Sequence, residues 1–228
     1  MYLISIDQGE NLFWLGRYVE RVCMTLHHLD ELYDVLLDSD NGAYAAFCEK
    51  LNIPNIYEND IDFIAKYQFA KDNPDSLYSN LSRAYDNGLV LRNTISSTTL
   101  SYIQMALDLL SEGQKGGACS LINQQLIDYL LAFWGCLDEK VYANNERNLI
   151  KAGRYLERLD MELRLGAPWR EVEVTLSKLS HRLKGAEIAY NVDKLARLKE
   201  IAKAAPADDA SRRAALELAD GLMDQPRN

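Results

Sequence analysis

The chain has 228 residues, 48% of them hydrophobic and 26% charged, with only 12 Gly and 5 Pro. That is enough material for one domain with a sizeable core, and too little Gly and Pro for a loop-rich sandwich or a disordered linker. A net charge of −9 argues against affinity for nucleic acid backbones, which calls for clustered Lys and Arg.

Helical periodicity dominates from the start. Leu15, Val19, Val22, Leu26, Leu29, Tyr33 and Leu36 alternate spacings of four and three, which predicts one buried stripe over about six turns. Asp7 and Glu10 are placed to form a capping box for this helix, and Asp40-Asn-Gly42 should end it. Residues 43–72 read as two short helices around Asn52-Ile-Pro-Asn55, with Asp60 as a cap for the second. Asp72-Asn-Pro-Asp75 opens a longer helix capped by Asp or Ser, with a stripe of Leu77, Leu81, Tyr85 and Leu89. Ser96 and Ser97 restart a helix through Ile103, Leu107 and Leu110.

Glu112-Gly-Gln-Lys-Gly-Gly117 reads as a flexible turn. It has neither the Gly-Lys-Ser/Thr end of a P-loop nor Gly-x-Gly-x-x-Gly, so it is no phosphate cradle. An apolar helix follows, striped by Ile122, Leu126, Tyr129, Leu130, Phe133 and Leu137. Beyond Asn144-Asn145 another long helix runs to Gly166-Ala-Pro168, two or three more fill 169–204, and a last one follows Pro206-Ala-Asp-Asp209 and ends near Asp220-Gly221. No segment keeps period two long enough for a strand. The expected fold is an all-α multi-helix bundle, with residues 1–204 as the helical domain and 205–228 as a C-terminal helix.

No run of about 18 apolar residues is present, so no membrane span is expected. The opening Met1-Tyr-Leu-Ile-Ser-Ile-Asp7 lacks a basic n-region and a long apolar stretch. The four Cys form no C-x-x-C and read as reduced thiols. Together these features lead to the expectation of a cytoplasmic chain.

The most informative feature is an internal repeat. Asn11-Leu-Phe-Trp-Leu-Gly-Arg-Tyr-Val-Glu-Arg-Val-Cys-Met-Thr-Leu26 aligns without a gap to Asn148-Leu-Ile-Lys-Ala-Gly-Arg-Tyr-Leu-Glu-Arg-Leu-Asp-Met-Glu-Leu163. Helical propensity would repeat the apolar positions, but not the Asn, Gly, Arg, Tyr, Glu and Arg between them. At about 100° per residue, Leu15, Val19, Val22 and Leu26 share one face, and Glu20 and Arg21 fall on opposite flanks. Arg17 is then placed to meet Glu20 at i,i+3, which leaves Arg21 free for another helix or a ligand. Gly16 lets a second backbone approach, at a cost of about 1 kcal/mol in helix propensity. The same geometry recurs at Gly153, Arg154, Tyr155, Glu157 and Arg158. The two helices are expected to pack in one bundle and bring Glu20 and Glu157 towards a common polar seam.

With these residues in view, the sequence resembles the bacterial alpha-E domain family. The resemblance rests on Asn11-Leu-Phe-Trp-Leu-Gly-Arg-Tyr-Val-Glu-Arg21, Asp72-Asn-Pro-Asp-Ser76, Ala84-Tyr-Asp-Asn87 through Arg92-Asn-Thr-Ile-Ser96, and Gly153-Arg-Tyr-Leu-Glu-Arg158. The middle motif of the family usually reads Glu-Asn-Ala-Arg, whereas here it is Asp86-Asn87-Gly88-Leu89, with Arg92 matching the Arg that follows. The resemblance implies a helical domain encoded beside, or fused to, circularly permuted ATP-grasp proteins and transglutaminase-like proteins. Such neighbours imply ATP-dependent amide or peptide-bond formation and processing of the product.

Arg17, Glu20, Arg21, Arg154, Glu157 and Arg158 have two open roles: a buried ion-pair network that fixes helix register, or an Arg-lined site for a carboxylate or phosphate. Asp86, Asn87 and Arg92 flank an apolar stripe and could face the same central cavity. A di-iron bundle needs Glu-x-x-His on two helices, which is absent. Glu20, Cys23 and His27 share a face, but the second copy offers Glu157, Asp160 and Arg164, so no two-fold metal site is expected, and no cofactor. His28 and His181 read as surface or half-buried residues, and Trp14, Tyr18, Trp134 and Tyr155 as core aromatics. The expected function is an accessory or interaction module of an ATP-grasp-linked system, holding a partner enzyme or a peptide substrate. The alternative is a stand-alone enzyme that binds an acidic or phosphorylated substrate through its Glu/Arg pairs. Oligomeric state is left open by the sequence.

Overall fold

The computed structural model describes residues 4–38, 42–113, 119–204 and 208–223, with side chains described except at 30–38 and 119–121. Eleven helices and no strand occur among the described residues: α1 (Ile6–Asp38), α2 (Ala43–Leu51), α3 (Asp60–Phe69), α4 (Leu77–Val90), α5 (Arg92–Ile95), α6 (Ser97–Gly113), α7 (Cys119–Lys140), α8 (Asn144–Leu165), α9 (Trp169–Ala186), α10 (Val192–Ala204) and α11 (Asp209–Asp220). The all-α expectation holds.

The helix starts follow local chemistry, sometimes one or two residues from the expected position. Ser5 accepts from the Gln8 amide at 3.2 Å, so Ser5 rather than Asp7 caps α1. Asn59 caps α3 by accepting from the Asp62 amide, and Asp60 is the first helical residue. Ser76 and Asp208 cap α4 and α11 through the Ser79 and Ser211 amides. Each such cap satisfies an amide that the helix leaves orphaned, an effect of about 1 kcal/mol. Gly166 ends α8 in the left-handed region, with φ 82°, where a Cβ would be strained. The expected stop of α1 at 40–41, its stripe at Tyr33 and Leu36, and most of the 112–117 turn lie outside the described residues or side chains.

Two apolar clusters share α8 as their common wall. The first gathers α1 to α7 around Leu15, Val19, Phe63, Leu81, Ile103 and Phe133, and takes Leu149 and Ile150 from α8. The second joins Ala152, Leu156, Leu159 and Leu163 of α8 to α9, α10 and α11. α11 lays Ala215 and Ala219 into this second cluster, and the Asn191 amide donates to the Leu222 carbonyl behind it. Leu89, expected on the α4 stripe, is exposed. The buried face of α4 instead carries Leu77, Asn80, Leu81, Ala84 and Gly88, a stripe rotated slightly from the one expected.

α1 and α8 run parallel and in contact. Gln8 donates to Glu146 near their starts and Arg17 donates to Glu157 further along, so contacts advance in the same direction on both helices. Among the described residues six helices, α2 to α7, lie between them in the chain.

Candidate functional site

The α1–α8 seam is set by two glycines. A Cβ on Gly16 would lie 1.9 Å from the Ile150 carbonyl oxygen, and one on Gly153 would lie 2.1 Å from the Phe13 carbonyl oxygen. The backbones therefore touch where both helices lack a side chain. Positions aligned between the repeats make matching contacts, each helix using its glycine against the other.

Beyond this crossing lies a set of crossed ion pairs. Arg17 Nε and Arg21 Nε donate to the two oxygens of Glu157 at 2.7 and 2.5 Å. Arg154 Nε and Arg158 Nε donate to those of Glu20 at 2.8 and 2.6 Å, and a second nitrogen of Arg158 also reaches Glu20. Both carboxylates are interior: the side chains of Glu20 and Glu157 are 0% and 1% exposed. Carboxylates removed from water this completely need full compensation, and each receives two charge-assisted hydrogen bonds.

The expected partner of Arg17 was therefore wrong, because Arg17 bonds Glu157 and not Glu20. Arg21, left by the sequence to another helix or a ligand, is taken by the other helix. A helical wheel ranks neighbours only within one helix, whereas the closeness of α1 and α8 places the carboxylate of the opposite helix nearer. Glu20 looked like a flank residue because one stripe was taken as the whole buried surface. Packing of α1 against both α8 and α4 turns that flank inward.

Four guanidiniums face two carboxylates here, and nearby acids offset the excess. Burial alone would lower Arg21, but the field of Glu157, with help from Asp160, raises it; Arg158 is raised in the same way by Glu20, with help from Glu162. Asp160 is buried and bonds Arg164 at 2.9 Å. Aromatic faces take up more of the cationic surface. Arg17 lies 4.9 Å over Trp14, and Arg154 lies 4.2 Å over Trp134. Trp134 is buried as expected, but Trp14 is exposed and stacks on half-buried Tyr18.

Asp86, Asn87 and Arg92 stand apart from the seam. Asp86 and Arg92 are exposed and Asn87 is half-buried, on the outer side of α4 and at the start of α5. The expectation that they face a shared central cavity is corrected by the rotated stripe of α4, which turns Gly88 inward against Leu100, Ile95 and Leu15. His181 is exposed, and His28 is half-buried and stacked on Phe47. Among the described residues no three His, Cys, Asp or Glu side chains are placed to hold a metal.

Sequence reasoning missed Glu162. It is buried on α8, accepts from the Thr175 hydroxyl at 2.8 Å through Oε1, and leaves Oε2 without a partner among the described residues. The available signal was the repeat itself, in which Glu162 aligns with buried Thr25. A carboxylate where the other copy has a hydroxyl marks asymmetry. Burial pushes Glu162 up to about 7, with Thr175 and Arg158 opposing and Glu171 and Glu20 reinforcing the rise.

That shift has a measurable consequence. The folded-state value lies above the ordinary 4.5, so between the two values the native state holds a proton that the unfolded chain has released. This contribution to stability is complete below the unfolded value and is lost as pH rises through about 7, for a total of about 3 kcal/mol. Glu162→Gln should therefore be more stable than the parent at pH 8, by up to that amount, and the gap should close towards pH 4.5. Urea unfolding at the two pH values tests this; an equal difference at both would show that Glu162 is not neutral at acid pH in the fold.

The model of the alpha-E family, described as a predicted alpha-helical domain with a conserved ER motif, matches residues 8–222. The chain belongs to the alpha-E family. In this alpha-E domain both Glu-Arg pairs, 20–21 and 157–158, sit at the α1–α8 seam, and each Glu is bonded by arginines of the opposite helix. No curated protein matches the chain, and no solved structure does.

Proposed function

We propose that this alpha-E domain is an accessory module of an ATP-grasp-linked system that forms amide or peptide bonds, in which it holds a partner enzyme or a peptide substrate. One observation carries the reading: both signature carboxylates are interior, and each is held by two guanidiniums of the opposite helix. A general acid or base must reach the proton it transfers, and these two are committed to joining helices. The signature thus builds a rigid seam, and such a seam suits a body that presents a fixed surface. The surface has room for a ligand. An open cleft of about 560 Å³ lies at the start of α1 and is lined by Ile6, Phe13, Trp14 and Met223 among others.

The alternative, an enzyme acting through the same Glu/Arg pairs, draws less support because the pairs satisfy one another. Co-purification decides between them. The chain, co-expressed with a circularly permuted ATP-grasp protein, should elute with that protein and show no turnover alone. Failure to associate, together with turnover of an acidic or phosphorylated substrate by the isolated chain, would establish the alternative.

A further inference from the structure

A second cleft, of about 570 Å³, opens at the far end of the seam. It is lined by Met24 and His27 of α1, Arg158 and Glu162 of α8, and Pro168 and Glu171 beyond the end of α8. We propose that this cleft binds the ammonium group of an aliphatic amine, with Glu162 Oε2 as its hydrogen-bond acceptor.

Three features support this. Glu162 is 8% exposed, lines the cleft, and keeps one carboxyl oxygen without a partner among the described residues. A buried acceptor left unmade costs about 1–3 kcal/mol, and a ligand donor would recover it. The cleft carries more carboxylate than guanidinium in its lining: Glu162 and Glu171 against Arg158, whose Nε is turned to Glu20. An anionic ligand would meet both carboxylates, whereas an ammonium would offset them. Finally, Met24, Leu165 and Pro168 offer apolar contact for the methylenes of an alkyl chain, which favours an alkylammonium over a hydrated metal cation.

The inference goes beyond the accessory role and does not depend on any partner enzyme. It predicts a pH dependence, because Glu162 must be ionised to accept from an ammonium. Glu162 faces Thr175 and Glu171 of α9, Arg158 of its own helix, and Glu20 of α1, with His27 and His28 also lining the cleft. Protonation of either histidine would repel a cation, so it acts in the same direction as protonation of Glu162. Substitution at 162 separates the two effects.

Calorimetric titration of the full chain with n-butylammonium chloride tests the proposal, at constant ionic strength and with tetramethylammonium chloride as a cation that cannot donate. Binding should be about tenfold weaker at pH 6 than at pH 8, given a midpoint near 7. Glu162→Gln, a variant expected to fold, should weaken binding at pH 8 at least tenfold and remove most of the pH dependence. In the parent chain, carbon-detected NMR should show the Glu162 titration midpoint falling by at least one pH unit in saturating n-butylammonium. Glycinamide and Nα-acetyl-lysinamide then distinguish a peptide amino terminus from a lysine side chain as the source of the amine. The proposal is overturned if n-butylammonium does not bind, if it binds Glu162→Gln equally well, if tetramethylammonium moves the midpoint as far, or if n-butyrate binds in its place.

Discussion

Alanine at Gly16 should destabilise the fold severely. The added methyl would sit 1.9 Å from the Ile150 carbonyl oxygen, 2.9 Å from its carbon and 3.0 Å from the Arg154 amide nitrogen. All three are backbone atoms of α8, so no rotamer change can clear the space. α1 and α8 must separate, and the four guanidinium–carboxylate contacts beyond the crossing lengthen with them. Overpacking alone costs about 1–3 kcal/mol, and weakening several charge-assisted hydrogen bonds adds to it. Against this stands a gain of about 1 kcal/mol from replacing Gly within a helix. We expect a net loss of at least about 4 kcal/mol, a large share of a domain's ~5–15 kcal/mol. Gly153→Ala should behave alike, with 2.1 Å to the Phe13 oxygen. Gly135→Ala is the control: it is exposed on α7 with nothing within 4 Å of the added atom, and should stabilise by up to about 1 kcal/mol. Thermal melts of the three variants test the set, and a parent-like melt for Gly16→Ala would mean that the helices are not in contact there.

Glu157→Gln should be among the most damaging single changes of charge. It removes the counter-charge of both Arg17 and Arg21 while keeping the shape nearly constant. Breaking one side of a buried pair costs roughly 3–5 kcal/mol. The lower end is expected, because both guanidiniums keep some access to water. Arg21→Ala should cost less, since Arg17 still holds Glu157 after the change. Of the two roles the sequence left open to Arg21, another helix or a ligand, its bond to Glu157 fills the first. Chemical denaturation should rank the losses Glu157→Gln above Arg21→Ala; the reverse order would mean that Arg21 stabilises the protein through some contact other than Glu157.

The helical architecture was readable from residue spacing because it is written locally, in apolar positions three and four apart. Pro74 with Ser76, Gly166 and Asp208 marked boundaries through the φ each prefers or the amide each can accept. The closest helix pair was also readable, because Gly16 and Gly153 recur within the same run of residues. Side-chain partnership was not readable. Arg17 has an acid three residues away and another on α8, and only the separation of the two backbones decides between them. Glu162 stayed hidden for a related reason. Its burial comes from α9 packing over α8, a contact that no spacing within α8 records.

The parallel pairing of α1 with α8 also bears on how the chain is made. α1 emerges from the ribosome well before α8, carrying an interior carboxylate and two arginines whose partners are encoded after α7. At ~5–20 residues per second, translation of the intervening segment takes on the order of 10 s. Through that interval the polar half of α1 has only water to satisfy it, and the helix cannot settle into its final environment. Contacts so distant in sequence also slow folding, because a long loop must close before any of them forms. Completion of α8 is thus the event that commits the first seven helices to their final arrangement, and chains truncated before Arg158 should remain accessible to chaperones and proteases.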